Sequence, residues 1–159
     1  MEIPWRPEQV AQARGQFERM AHEAGLPVGR RTRLANSRLA LEAAEWAKAW
    51  GPAAHDCLHR ALFRAYFVDG GNIGDVAVLA EQAERCGLDP DDLRLALAEG
   101  RYRAAVQAQL DAVRDLGITA VPTFIAGGYA VVGAQPVAVL RRLVQAAGAQ
   151  PRGRLQEGR

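Results

Sequence analysis

The apolar period of this chain departs from that of a helix in one stretch only. As far as Gly117 the apolar residues return every three or four positions, the spacing that gathers side chains on one face of a helix. From Val121 they fall into two short runs, Val121 to Ala126 and Tyr129 to Val132, parted by Gly127-Gly128. Two glycines between two apolar runs suit the two-residue turn of a β-hairpin, whose central residues need positive φ. Sheet is therefore expected only late in the chain, and the preceding residues must bury helix against helix.

Start and stop signals divide the helical part. Pro7 and Glu8 open a first helix through Val10, Phe17 and Met20, which Gly25 and Pro27 end. A basic loop carrying Arg30, Arg31 and Arg33 follows, read as solvated, with an anion site as the minor alternative. Asn36 or Ser37 caps a second helix with Leu39, Ala43, Trp46 and Trp50 on its apolar face, stopped by Gly51-Pro52. A third runs from about Ala53 to Val68. Asp75 caps a short helix to Cys86, and Asp89-Pro90 opens the next by the cap-then-proline rule. A long helix follows Gly100 through Tyr102, Val106, Leu110, Val113 and Leu116. Pro136 starts the last, with Val137, Leu140, Leu143, Val144 and Ala147, before a polar tail.

Composition removes several kinds of catalyst. The chain holds one Ser (Ser37), one Lys (Lys48) and three His (His22, His55, His59), and it has neither a nucleophile elbow nor a phosphate loop. A net charge of +2, with Arg interspersed among Asp and Glu, marks no nucleic-acid or membrane-surface partner. Without an apolar run of membrane-spanning length or a signal-peptide pattern at Met1, a cytoplasmic location is expected.

The side chains with chemistry each carry a plain alternative. Cys57 and Cys86 form no Cys-x-x-Cys pair and enclose no short loop, so free thiols in a reducing compartment are expected. Cys86 shares the stripe Val76, Leu79, Ala83 and reads as an inert core thiol. His55 and His59, four apart on one helix, suggest a metal, but only these two share a face; a solvated surface is preferred and no metal or other cofactor is expected. His22 reads as a surface residue. Trp46 and Trp50 are expected to pack in the helical core.

A family resemblance lies in four segments taken in order. Gly117-Ile118-Thr119-Ala120-Val121-Pro122-Thr123-Phe124 resembles the thioredoxin-fold signature in which a Val-Pro bond is cis. Ile125 to Pro136 is similar to the version in DsbA-family oxidoreductases of the FrnE-like branch, as are Asn36-Ser37-Arg38-Leu39-Ala40 and Leu62 to Phe67 followed by Asn72-Ile73-Gly74-Asp75. The resemblance implies an α/β, mostly α chain: a partial thioredoxin-like fold, α-β-β-α, with a DsbA-type helical insertion. On that reading residues 1–100 form the helical insertion region, 101–148 the thioredoxin-like C-terminal half and 149–159 the tail.

In the resembled family the redox Cys-x-x-Cys follows the first strand. This chain has no such segment, and Ile3 to Arg6 reads as a remnant of the strand preceding the insertion. The expected function is that of a DsbA-like thiol-disulfide oxidoreductase family protein without its redox-active segment and without redox activity of its own. Two alternatives stand beside it: a degenerate, non-catalytic thioredoxin-fold binding or structural protein, and a relative of glutathione-dependent kappa-class transferases and isomerases. No catalytic residue is assigned. Ala120, Val121 and Pro122 are the implied substrate-binding residues, for a thiol-bearing peptide or small thiol that pairs with the Val121 backbone. A trans proline opening an edge strand is the alternative there. A strand starting at Pro122 without its second neighbour leaves an open edge, expected to self-associate, take up a partner or leave the region after Gly117 partly ordered.

Overall fold

The computed structural model describes residues 7–29 and 34–150. The arginine-rich stretch Arg30 to Arg33, the Ile3 to Arg6 segment and most of the tail lie outside the described residues. Those described form seven helices and one two-stranded sheet: α1 Pro7–Glu23, α2 Arg38–Lys48, α3 Pro52–Phe67, α4 Val76–Arg85, α5 Pro90–Glu99, α6 Arg103–Asp115, β1 Thr123–Ala126, β2 Tyr129–Val132 and α7 Val137–Ala146. They divide into two compact units, the first ending at Gln107 and the second beginning at Ala108.

Local chemistry accounts for the helix ends of the first unit. Asp75 Oδ1 accepts from the Ala77 N–H at 2.9 Å, and Asp89 Oδ1 from those of Asp91 and Asp92 at 2.8 and 3.3 Å. Each carboxylate satisfies amides that the first helical turn leaves without a carbonyl. At α2 the residue in the cap position, Ser37, makes no side-chain cap bond, whereas Asn36 Oδ1 accepts from the Arg38 N–H at 3.0 Å. Gly29 lies so close to the end of α3 that a Cβ on it would stand 1.7 Å from the Val68 carbonyl oxygen, and its N–H donates to Phe67 O at 2.8 Å.

The core of this unit lies among α2, α3, α4 and α5. Ala43, Trp46, Ala47, Leu58, Leu62, Leu79, Ala83, Leu93, Ala96 and Leu97 are buried there as one cluster. Each buried leucine contributes about 1.5–3 kcal/mol of transfer free energy. Trp46 is buried, but Trp50 is 54% exposed and meets Trp46 only ring edge to ring, correcting the expectation that both fill the core. α2 ends at Lys48, so Trp50 lies two residues beyond the helix and off its packed face.

The first turn of α6 also belongs to the helical unit. Arg38 donates to Gln107 Oε1 at 2.6 Å, and Arg103 Nε lies 3.9 Å from Glu42 Oε1. These contacts set the division inside α6, where the sequence suggested a boundary at Gly100. Glu42 itself is buried, with Arg38 Nε 4.0 Å from the same oxygen and no hydrogen-bond partner for Oε2 among the described residues.

In the second unit the sheet is antiparallel, pairing Thr123 with Val132, Phe124 with Val131, Ile125 with Ala130 and Ala126 with Tyr129. Gly127 and Gly128 form the turn at φ 53° and 82°, the doubly positive combination of a primed turn. A Cβ on Gly127 would also meet the Ala147 Cβ at 2.7 Å, so the turn closes against the end of α7. Both strands pack on α7. Among the described residues of this unit only Leu143 is a buried hydrophobic.

Candidate functional site

Ala120, Val121 and Pro122 form the segment between α6 and β1. The helix ends with the Gly117 N–H donating to Arg114 O and the Ile118 N–H to Val113 O, at 2.8 and 3.2 Å. Gly117, at φ 68°, reverses the chain in the left-handed region that costs other residues energy. Beyond it the Val121–Pro122 peptide bond is cis. Val121 is 88% exposed, and Ala120 and Pro122 are exposed beside it.

Two hydrogen bonds hold this segment. Thr123 Oγ1 donates to Ala120 O at 2.6 Å, and the Gly133 N–H donates to Pro122 O at 2.7 Å. The second continues the β1–β2 ladder by one residue. No residue from Ile118 to Leu140 is charged. The segment thus offers backbone donors and acceptors and apolar side chains, with no acid or base of its own, which suits binding of an extended ligand better than proton transfer.

The cysteines depart from the expectation of free thiols. Cys57, on α3, and Cys86, capping the C-terminus of α4, form a disulfide with their Cα atoms 5.9 Å apart. Packing of α3 on α4 brings together residues 29 positions apart, a pairing that no local spacing signals. Cys86 does pack against the core, as its stripe implied, but as half of a disulfide with Cys57 rather than as an inert thiol.

The histidines line one side of α3. His55 and His59 stack with ring centroids 5.5 Å apart, His59 meets Phe63 at 4.9 Å, and Phe63 stacks on Phe67 at 5.7 Å. The four-residue step produces this aromatic row. Among the described residues no group of three or more His, Cys, Asp or Glu could hold a metal ion. His22 is exposed on α1, in a shallow concavity lined by Gly15, Glu18, Arg19 and Glu23 of the same helix.

One polar cluster escaped the sequence reading. Trp46 Nε1 donates to Asp92 Oδ2 at 2.8 Å, and Arg101 donates to Asp92 Oδ1 at 3.0 Å and to Glu99 Oε2 at 2.6 Å. The Trp46 N–H first, and the Arg101 guanidinium second, hold the Asp92 carboxyl below its ordinary range. Glu99 first and then Asp92 raise the Arg101 guanidinium. Asp92 sits where the cap of α5 already explains an acidic residue, so its sequence context gave no sign of the indole.

Comparison with known proteins supplies the remaining findings. The family model of the DSBA-like thioredoxin domain matches residues 2–145. A probable DsbA oxidoreductase from Streptomyces coelicolor superposes with a TM-score of 0.76 at 30% identity, over 95% of this chain and 66% of that one. A candidate protein disulfide isomerase from Nitrosomonas europaea superposes with a TM-score of 0.70 at 18% identity, over 92% and 76% of the respective chains, a likeness of fold. The uncharacterized protein YwbO of Bacillus subtilis is 40% identical over 74 residues, 46% of this chain and 37% of that protein. The chain thus spans about a third of the curated relative's length and about two thirds of the Streptomyces structure.

Proposed function

Because the chain belongs to the DSBA-like thioredoxin domain family, we propose that it binds an extended thiol-bearing peptide or small thiol at Ala120, Val121 and Pro122 and performs no thiol-disulfide turnover by itself. The exposed Val121 at the entrance to β1 carries this reading. An extended ligand there meets the exposed Val121 and an uncharged, apolar surface.

The cysteine chemistry supports the second half of the proposal. Exchange of the family type needs a thiolate stabilised at a helix N-terminus and a resolving thiol nearby. Cys86 lies at a helix C-terminus, where the helix dipole opposes a thiolate, and Cys57 lies within α3. The disulfide between them therefore acts as a staple of the helical unit. Among the described residues no helix is long and apolar enough to cross a membrane.

The test is a nuclear magnetic resonance titration of the dilute full chain with a short, reduced, cysteine-containing peptide and its serine counterpart. The cysteine peptide is expected to shift the Ala120, Val121 and Thr123 amides more than the serine peptide does, and Val121→Asp to abolish the shifts. Insulin reduction measured in parallel stays at the free-thiol rate. Shifts confined to other surfaces refute the binding site; turnover that Cys57→Ala removes refutes the assignment of the disulfide as a staple.

A further inference from the structure

Two imidazoles of α3 stand apart from both the thiol-ligand reading and the disulfide. His55 and His59 lie within Pro52–Phe67, so the helical backbone fixes them four residues apart on one face. Their ring centroids are 5.5 Å apart, with 22° between the ring planes. His59 is exposed and rests against Phe63, centroids 4.9 Å apart, while His55 is half-buried. Among the described residues neither ring makes a hydrogen bond or an ion pair, so the ring nitrogens are left for water or a ligand.

We propose that His55 and His59 chelate an exchangeable divalent transition ion, Cu²⁺ more tightly than Zn²⁺, with water completing its coordination. An ion about 2.0–2.1 Å from one nitrogen of each ring, at a tetrahedral angle, sets the ring centroids roughly 5 Å apart. The observed separation is already close to that value. Rotation about χ2, a broad torsion in histidine, then brings one nitrogen of each ring onto a shared ion without moving the helix. The chelate is contained in one turn of one helix and depends on no other element of the fold.

The donor set selects the ion. Neutral imidazole suits copper, zinc and nickel rather than the oxygen-seeking calcium and magnesium, and at a given nitrogen site affinity peaks at Cu²⁺. Cys57, between the two histidines in sequence, offers no thiolate because its sulfur is bonded to Cys86. With no free cysteine among the described residues, bound Cu²⁺ meets no thiol that would reduce it. The Asp56 carboxylate is engaged by Arg60 Nε at 3.1 Å. Two protein ligands are fewer than those of catalytic or structural zinc centres, in keeping with the lack of any group of three or more ligating side chains among the described residues. The positive end of the α3 dipole also opposes a cation near His55. Both features make the ion one that is taken up and released with its free concentration rather than a fixed part of the fold.

Titration of the full chain with Cu²⁺ against excess glycine, followed by electron paramagnetic resonance, tests the site. One Cu²⁺ per chain is expected, with hyperfine splitting from two imidazole nitrogens, displaced by Zn²⁺ only in large excess. His55→Ala and His59→Ala are each expected to weaken binding at least about tenfold, since losing a ligand costs no less than losing an outer-shell partner of one. Alanine is a good helix former, so α3 is retained in both. His22→Ala, exposed on α1, leaves binding unchanged. A double variant, His59→Ala with Arg60→His, keeps the histidine count of the chain but sets the pair five residues apart, off a common face. It is expected to bind as weakly as His59→Ala. Copper held by His59→Ala or by the double variant as tightly as by the unaltered chain overturns the proposal, and so does a loss caused by His22→Ala. None of these outcomes bears on the peptide titration, because Ala120, Val121 and Pro122 lie on a segment without histidine.

Discussion

Removing the Cys57–Cys86 disulfide lowers the stability of the helical unit by an amount set by the chain it closes. A separation of 29 residues corresponds to roughly 12 cal/mol/K of unfolded-state entropy, or about 3.5 kcal/mol at 25 °C. For a unit of this size that is a fall of roughly 15 °C in the unfolding midpoint. The buried Trp46, hydrogen-bonded to Asp92 between α2 and α5, is a fluorescence reporter within the unit. The assay compares the oxidised chain, the same chain reduced by a phosphine, and a Cys57→Ala, Cys86→Ala double variant. Reduced chain and double variant are expected to unfold together, well below the oxidised chain and with similar cooperativity. A difference of less than about 3 °C would mean that α3 and α4 are held together in the unfolded ensemble by other means, or that the cross-link strains the packed helices enough to cancel its entropic gain. Either result refutes the staple.

Two further outcomes concern Asp92, half-buried, and Glu42, buried. Asp92 is held below its ordinary pKa, so its bonds to Trp46 and Arg101 contribute stability that is fully present above the unfolded-state value and is lost as pH falls through the folded one. An acid titration followed by Trp46 fluorescence should show that loss below about pH 4, and Asp92→Asn should remove most of the pH dependence; an unchanged acid profile contradicts the assignment. Glu42 is buried with one oxygen lacking a hydrogen-bond partner among the described residues, and both arginines beside it reach solvent. Glu42→Met therefore raises stability by about 1–2 kcal/mol through relief of desolvation, measured by urea unfolding, and a loss of similar size would show that the arginine pair outweighs the orphaned oxygen.

Much of the architecture was legible because its causes are short-range. Asp75 and Asp89 cap helices through amides two or three residues away, Gly117 ends α6 by its own backbone freedom, and Gly127-Gly128 turns the hairpin between its flanking runs. The Ala120 to Pro122 segment came from the family resemblance instead, since its local sequence shows only a proline ahead of an apolar run. The α-β-β-α order and the helical region before it follow from these signals together with the family resemblance, and the family match agrees with them. Packing alone decided the rest. Cys57 meets Cys86 because α3 lies against α4, Trp46 finds Asp92 because α2 lies against α5, and Glu42 is buried because the first turn of α6 returns to α2. Each of these joins residues tens of positions apart, with side chains whose local pattern already had a sufficient explanation as helix face, cap or surface. A periodicity states which face of a helix is apolar; which other helix covers it, and so which polar atoms are carried into contact, is settled only when the faces meet.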